Sequence, residues 1–254
     1  QYLRACDAIY CEDTRVSGKL KAAYDLSAPL RAYHDHNAAA VRPQILEAIA
    51  SGAAVALISD AGTPLISDPG YRLVVDARAA GLLVTGAPGA CAAIAALSIA
   101  GAETDRFLFC GFPPPKAGAR RQLFEDVADV AATLVFYETG PRLAASLADM
   151  TEVFGERRAV VARELTKLHE ELTASSLKDL AQRYASSAAP KGEIVVLVQK
   201  PDRRVGIGDI EPELREALAA QSVKDAAAEI ARRAGLPRKE VYARALALKD
   251  ELKQ

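Results

Sequence analysis

Two loops and two short polar strings carry the residue types that chemistry needs. The longer loop, Ser59-Asp-Ala-Gly-Thr-Pro-Leu-Ile-Ser-Asp-Pro-Gly70, leaves the carboxyl end of an apolar run and enters a helical one. Ligands of open α/β sheets bind at such strand ends. Gly62 lets a ligand approach the backbone, and Pro64 and Pro69 stiffen the loop, which lowers the entropy lost on docking. A second loop, Gly86-Ala-Pro-Gly-Ala-Cys-Ala92, also follows a strand-like run and opens an Ala-rich helix. Together the two can frame a pocket for a flat, partly polar ligand. As bare glycine loops they are equally well tight turns.

The first polar string, Glu12-Asp-Thr-Arg15, follows the apolar run Ala8–Cys11. Glu12 or Asp13 can take or orient a proton, and Arg15 beside them can hold a phosphate. The string also suits a helix start, where acidic residues are favoured in the first turn. The second, His34-Asp-His-Asn37, sets two imidazoles on one side of an extended chain. No cysteine pair lies nearby and His169 is the remaining histidine, so His34 and His36 read as surface or phosphate-contacting groups rather than metal ligands.

The elements that must position these groups alternate along the chain. Strands are expected at Val55–Ser59, Leu82–Thr85, Phe107–Cys110, Thr133–Tyr137, Val160–Arg163 and Glu193–Gln199. Helices are expected at Tyr71–Ala80, Ala90–Ala100, Arg120–Asp129, Pro141–Met150 and Leu177–Ser186. Continuous apolar strands alternating with helices imply α/β layers with largely parallel strands. The proline-rich segment Gly111–Gly118 and the stretch Pro201–Gly208 read as linkers. Three regions follow: an α/β domain over 1–112, a second over 113–200, and a helical module over 209–254. In the last, Ser222 and Asp225 resemble a capping box, and the break Gly235-Leu236-Pro237 separates two amphipathic helices in a helix-turn-helix-like arrangement. From Ser222 onward eight Lys/Arg stand against five Asp/Glu, which suits either a packing module or nucleic-acid contact.

Composition bounds the possibilities. The 254 residues are half apolar, with a formal net charge of −1, so polyanion binding must rest on local patches. The four cysteines, Cys6, Cys11, Cys91 and Cys110, form no C-x-x-C pair and are expected to be buried, reduced thiols of a cytoplasmic protein. No run of about 18 apolar residues signals a membrane span. The start at Gln1, on what reads as a helix end before a strand, leads us to expect a further N-terminal segment.

The Ser59–Gly70 string and its flanks resemble the signature of the tetrapyrrole-methylase superfamily, in the branch of ribosomal RNA small subunit methyltransferase I. Also similar, in the same order, are Glu12–Arg15, His34–Asn37, Pro88–Ser98, Phe136-Tyr-Glu138 and Ala162–Lys167. The resemblance covers essentially the whole chain. It implies two α/β domains with S-adenosylmethionine in the cleft between them, a small C-terminal helical module, a homodimer, and 2′-O-methylation of a cytidine ribose in the decoding region of 16S rRNA within the small ribosomal subunit. Carried over by position, it implies cofactor contacts from Ala61, Gly62, Thr63, Ile66, Cys91, Ala92, Tyr137, Glu138 and Leu165. Where this chain has Thr63, related methylases often carry aspartate. The family's opening strand and its Pro/Gly turn, which border the cofactor, do not occur in this sequence.

Methyl transfer from a sulfonium needs mainly alignment, whereas a ribose hydroxyl gains from loss of its proton. Candidate bases or orienting groups are Glu12, Asp13, His34, His36, Glu138 and Glu164, with the Glu12/Asp13 pair foremost. Candidate RNA contacts are Arg15, His34, His36, Arg120, Arg121 and Arg142, with Arg232, Arg233, Arg238 and Lys239 near the C-terminus. Two other functions stay open: methylation of a small tetrapyrrole-like substrate on the same fold, and non-catalytic nucleic-acid binding.

Overall fold

The structure, a computed structural model, describes residues 1–201, 208–234 and 236–251, in two compact units, Gln1–Pro201 and Asp202–Gln254. Residues 202–207 of the second expected linker and Gly235 of the expected helix break lie outside the described residues.

The first unit opens with a short 3-10 turn and then runs β1 (Ala8–Cys11), α1 (Thr14–Ala23), β2 (Leu30–Ala32), α2 (Ala38–Ala50), β3 (Val55–Ile58), α3 (Tyr71–Ala79) and α4 (Ala92–Ile99). The three strands form a parallel sheet in the order β2-β1-β3. All four β1 residues are buried, as suits a central strand covered on both faces. Alternation sends Ala8 and Tyr10 toward Tyr33, Ile45 and Leu73, and Ile9 toward Leu26 and Ala28. Leu82–Thr85 is not a strand: it has no ladder partner among the described residues, and Leu83 is 89% exposed. An apolar run becomes a strand only by pairing.

Next come β4 (Phe107–Gly111), α5 (Ala117–Val127), β5 (Thr133–Thr139), α6 (Gly140–Phe154), β6 (Arg158–Arg163), β7 (Glu171–Ser176), α7 (Leu177–Ala185) and β8 (Glu193–Val198). They build a second sheet in the order β4-β5-β8-β6-β7. Only β4 and β5 are parallel here; the other three pairings are antiparallel. The expectation of largely parallel strands therefore fails for this sheet. The apolar runs reflect two covered faces, not strand direction. One face, including Leu134, Phe136, Val161 and Val196, packs on Phe124, Leu143, Leu147 and Leu180. The other, including Val135, Val160, Val195 and Leu197, packs on Ala93, Ala96 and Leu97 of α4. Each fully buried Leu or Phe contributes about 1.5–3 kcal/mol relative to exposure.

The second unit holds α8 (Glu211–Ala220), α9 (Val223–Ala234) and α10 (Arg238–Glu251) around Leu214, Ile230, Val241, Ala245 and Leu248. Ser222 caps α9: its Oγ accepts from the Asp225 nitrogen at 3.2 Å and donates to the Asp225 carboxylate at 2.6 Å.

All four cysteines are free, but only Cys11 is buried. Cys6, Cys91 and Cys110 are half-buried because they sit before β1, at the start of α4 and on the edge strand β4.

Candidate active site

Register places the chemistry of the first sheet. Cys11 pairs with Ala32 on one side and Ile58 on the other. The residues that follow these three, Glu12–Asp13, Tyr33–His34 and Ser59–Asp60, therefore emerge together at the carboxyl edge. Glu12, Asp13, His34 and Asp60 line an open groove of ≈ 480 Å³ with Thr14, Arg15, Ala32 and His36. Glu12, Asp13, Arg15, His34 and His36 are thus brought together. Asp60 joins them, and its place just beyond the carboxyl end of a parallel strand is the sequence signal for it.

Within the groove the acids differ. Asp13 is the N-cap of α1: its Oδ1 accepts from the Arg15 nitrogen at 2.8 Å, and its Oδ2 meets the Arg15 guanidinium at 2.6 Å. The Arg15 hydrogen bonds hold its pKa down at about 2. A carboxylate so acidic has little proton affinity near neutrality, so Asp13 drops out as a base and acts as a cap. Glu12 goes the other way. Loss of solvation, then the charges of Asp68, Asp60 and Asp35, push its pKa up, opposed by His34. Asp60 Oδ1 lies 3.4 Å from the Asp13 nitrogen, which donates to it, and 3.5 Å from Ser17 Oγ.

The histidine string is a turn rather than extended chain. Asn37 closes it, its Oδ1 accepting from the His34 nitrogen at 2.9 Å and its Nδ2 donating to the Ala32 carbonyl at 3.0 Å. The imidazoles still approach, with centroids 5.9 Å apart. His34 Nδ1 is buried without a hydrogen-bond partner.

A second group gathers where the two glycine-bearing loops meet. Thr63 Oγ1 donates to the Ala90 carbonyl at 2.8 Å, tying one loop to the other. Gly62 has φ +82°, a conformation that side chains disfavour. Ser59 Oγ donates to Asp68 at 2.5 Å and accepts from the Ala61 nitrogen at 3.1 Å, bracing the longer loop. Cys91, Ala92, Tyr137 and Leu165 lie on one apolar cluster with Phe109. Tyr137 Oη accepts from the Ala93 nitrogen at 3.3 Å and sits 3.8 Å from Cys91 Sγ. Burial pushes the Tyr137 pKa up to about 12, so the hydroxyl stays protonated. Ala61 and Ile66 are exposed on the same loop.

Several expected site residues are committed elsewhere. Side chains alternate along β5, so Glu138 points away from Tyr137, toward α6. Its side chain is fully buried, accepts from the Thr139 nitrogen at 2.8 Å and from Ser146 Oγ, and lies 3.2 Å from Arg142 Nε. It offers no carboxylate to a ligand or as a base. Arg142 also donates to the Pro113 carbonyl. Arg120 is 5% exposed and grips Asp149 through Nε at 2.7 Å and its terminal nitrogen at 2.5 Å, so it is a buried structural group and not an RNA contact. Arg121 shares Asp149 and reaches Glu152 at 3.4 Å. Glu164 accepts from Lys167 Nζ and the Glu193 nitrogen, both at 2.9 Å, and these bonds lower its pKa. That makes it a poor base.

Known proteins give this geometry a context. Residues 1–181 match the family model of tetrapyrrole (corrin/porphyrin) methylases, and residues 207–249 match that of the RsmI C-terminal HTH domain. The chain is 53% identical over 248 residues to ribosomal RNA small subunit methyltransferase I of Erythrobacter litoralis, covering 97% of this chain and 88% of that one. It is 45% identical over 250 residues to the protein of the same name from Mesorhizobium japonicum, covering 98% and 85%. Among solved structures, the methyltransferase CobJ superposes with TM-score 0.58 at 20% identity, covering 81% of this chain and 88% of that one. Diphthine synthase does so with TM-score 0.58 at 13% identity, covering 78% and 81%. These two likenesses concern the fold alone.

Proposed function

The chain belongs to the tetrapyrrole methylases, in the group of ribosomal RNA small subunit methyltransferase I, and on that premise we propose that it methylates small-subunit ribosomal RNA with S-adenosylmethionine. The target we assign is the 2′-hydroxyl of a cytidine ribose in the decoding region, within the small ribosomal subunit. The observation that carries the reading is the 53% identity along 97% of the chain to a protein of that name.

The residues present fit the cofactor. Cys91, Ala92, Tyr137 and Leu165 supply an apolar wall suited to a purine and a thioether. The backbone of Ala61, Gly62 and Thr63, tied to Ala90, supplies polar groups with little side chain in the way. These residues and Ile66 would hold it. The chemistry it supplies when bound is a methyl group already activated by the sulfonium charge. The protein's own part is to align the acceptor and manage one proton.

Glu12 takes that proton. It is the groove carboxylate whose surroundings raise its proton affinity, and such tuning brings a base toward the operating pH. Arg15, whose side chain is 89% exposed, meets a phosphate beside the target ribose. His34 and His36 steer the same strand of RNA. We assign domain limits of 1–112, 113–200 and 209–254, a homodimeric assembly and action in the cytoplasm. No helix among the described residues is long and apolar enough to cross a membrane.

The test is transfer of radiolabelled methyl from S-adenosylmethionine to small subunits, or to free small-subunit rRNA, from cells lacking the enzyme. Label in an alkali-resistant dinucleotide is the expected result. Absence of label with cofactor binding intact would overturn the RNA assignment and point to a small acceptor.

A further inference from the structure

The cations of the C-terminal unit fall into two sets. Arg215, Arg233 and Arg244 are spent inside the unit: Arg215 pairs with Glu251 at 2.7 Å, Arg233 with Glu213, and Arg244 with Glu211 at 2.6 Å and Glu251 at 3.2 Å. These pairs staple α8 and α9 to their neighbours. Arg238, Lys239 and Lys249 of α10 enter no ion pair among the described residues, and Arg238 and Lys239 are exposed.

Lys224 and Arg232 of α9 also enter no ion pair among the described residues, while the three free cations of α10 share one helix. Val241, Ala245 and Leu248 turn one face of α10 into the core. At 100° per residue, Arg238, Lys249, Tyr242, Leu246 and Lys239 then fall in that order along one flank, from beside the core face toward the side opposite it. Tyr242 is 40% exposed and Leu246 42%. The exposed acid of the first turn, Glu240, falls on the opposite flank, beside Arg244. One flank of the helix thus carries an aromatic ring and an aliphatic side chain framed by cations, with Glu240 and Glu251 on the other.

We propose that this face of α10 is an RNA-docking surface, with Tyr242 stacking on an unpaired base and Arg238, Lys239 and Lys249 contacting the phosphates around it. The proposal rests on the reading that the substrate is ribosomal RNA, and it assigns that RNA a second foothold. The occupant follows from charge and shape. Phosphates answer unpaired cations, and a half-exposed ring between them suits a base, since every base has a face to stack. A protein partner would be expected to bring carboxylates to the cations and to seal Tyr242 and Leu246 from water. It would bind without strong dependence on RNA.

The experiment uses the full chain and small-subunit rRNA in a filter-binding titration across salt concentrations. Arg238→Gln/Lys239→Gln is expected to weaken binding about 10-fold or more and to make the slope of log K against log salt shallower by about 1–2. Tyr242→Ala is expected to weaken binding at least 5-fold with the slope unchanged, and Tyr242→Phe to restore it. Cofactor binding, read by calorimetry, should not move in any variant, which separates a lost surface from a misfolded chain. Wild-type affinity and slope in all three variants would overturn the proposal, as would failure of the wild type to bind the RNA. RNA binding that is lost in the variants, in a protein that methylates no RNA, would leave this surface standing and remove the assigned reaction.

Discussion

The Tyr137 hydroxyl of the second sheet accepts a hydrogen bond, at 3.3 Å, from the backbone nitrogen of Ala93 in the first turn of α4. Cys91, the N-cap residue, makes no side-chain cap of its own, so a tyrosine from another element does the capping. Tyr137→Phe is expected to leave that nitrogen without a partner and to cost about 1 kcal/mol in urea unfolding. Cofactor affinity should fall as well, because Cys91 and Ala92 begin the same turn. Unchanged affinity in this variant would separate the α4 turn from the cofactor site.

With Glu12 as the proposed base, it is expected to set the acid limb of the pH profile. Loss of solvation and, after it, neighbouring negative charges favour its protonated form, so its pKa lies above the ordinary carboxylate value. Activity that needs the ionised form is lost as pH falls through that raised value. Asp68→Asn and Asp60→Asn each remove a negative neighbour, so the limb of kcat/KM should move to lower pH in both. Glu12→Gln should cut the rate by about 10²–10⁴-fold. An acid limb that stays put in both aspartate variants would show another group to be the base.

Asp149, itself nearly buried, pairs with the buried Arg120 and with the partly exposed Arg121. Breaking a buried pair leaves an uncompensated charge, at a cost of about 3–5 kcal/mol. Asp149→Asn should approach that figure in denaturant titration. Arg121→Gln, at a side chain 40% exposed, should stay within about 1 kcal/mol. Equal losses would mean that burial does not decide between them.

Two glycines should respond with opposite sign to alanine. A Cβ on Gly140 would fall 1.6 Å from the Pro190 carbonyl oxygen, backbone that has little room to yield. Gly140→Ala should therefore destabilise by about 1–3 kcal/mol or more. Gly18 lies inside α1 with nothing within 4 Å of such a Cβ. Gly18→Ala should stabilise by about 0.5–1 kcal/mol. Thermal melts of the two variants check both.

The sequence shows some of this plainly and hides the rest for physical reasons. The runs at Val55, Thr133, Val160 and Glu193 read as strands because they are covered on both faces, yet coverage says nothing of direction, and three of the four pairings in the second sheet are antiparallel. The edge strand Glu171–Ser176 has no apolar run to see; as far as Ser175 its residues alternate between half-buried and exposed. Glu12–Arg15 carries two readings at once, and the fold uses both: Asp13 caps the helix while Glu12 faces the groove. Arg120 looks like any surface cation until Asp149, 29 residues away, is brought beside it. Glu138 looks available until β5 is seen to turn it toward Ser146.

The three parallel strands give the first sheet one permissive rim and one intolerant rim. Glu12, His34 and Asp60 keep their spacing only because each follows its strand by a fixed count of residues. A single residue spliced between Ile58 and Ser59 would carry Asp60 out of reach of the Asp13 nitrogen and rotate the whole Ser59–Gly70 loop. At the other rim, the connection at Gly52 and Ala53 enters β3 from behind, with open space around Gly52. A peptide tag carried there would leave the groove's arrangement untouched, which makes it the natural place to tether the protein to a surface or a dye.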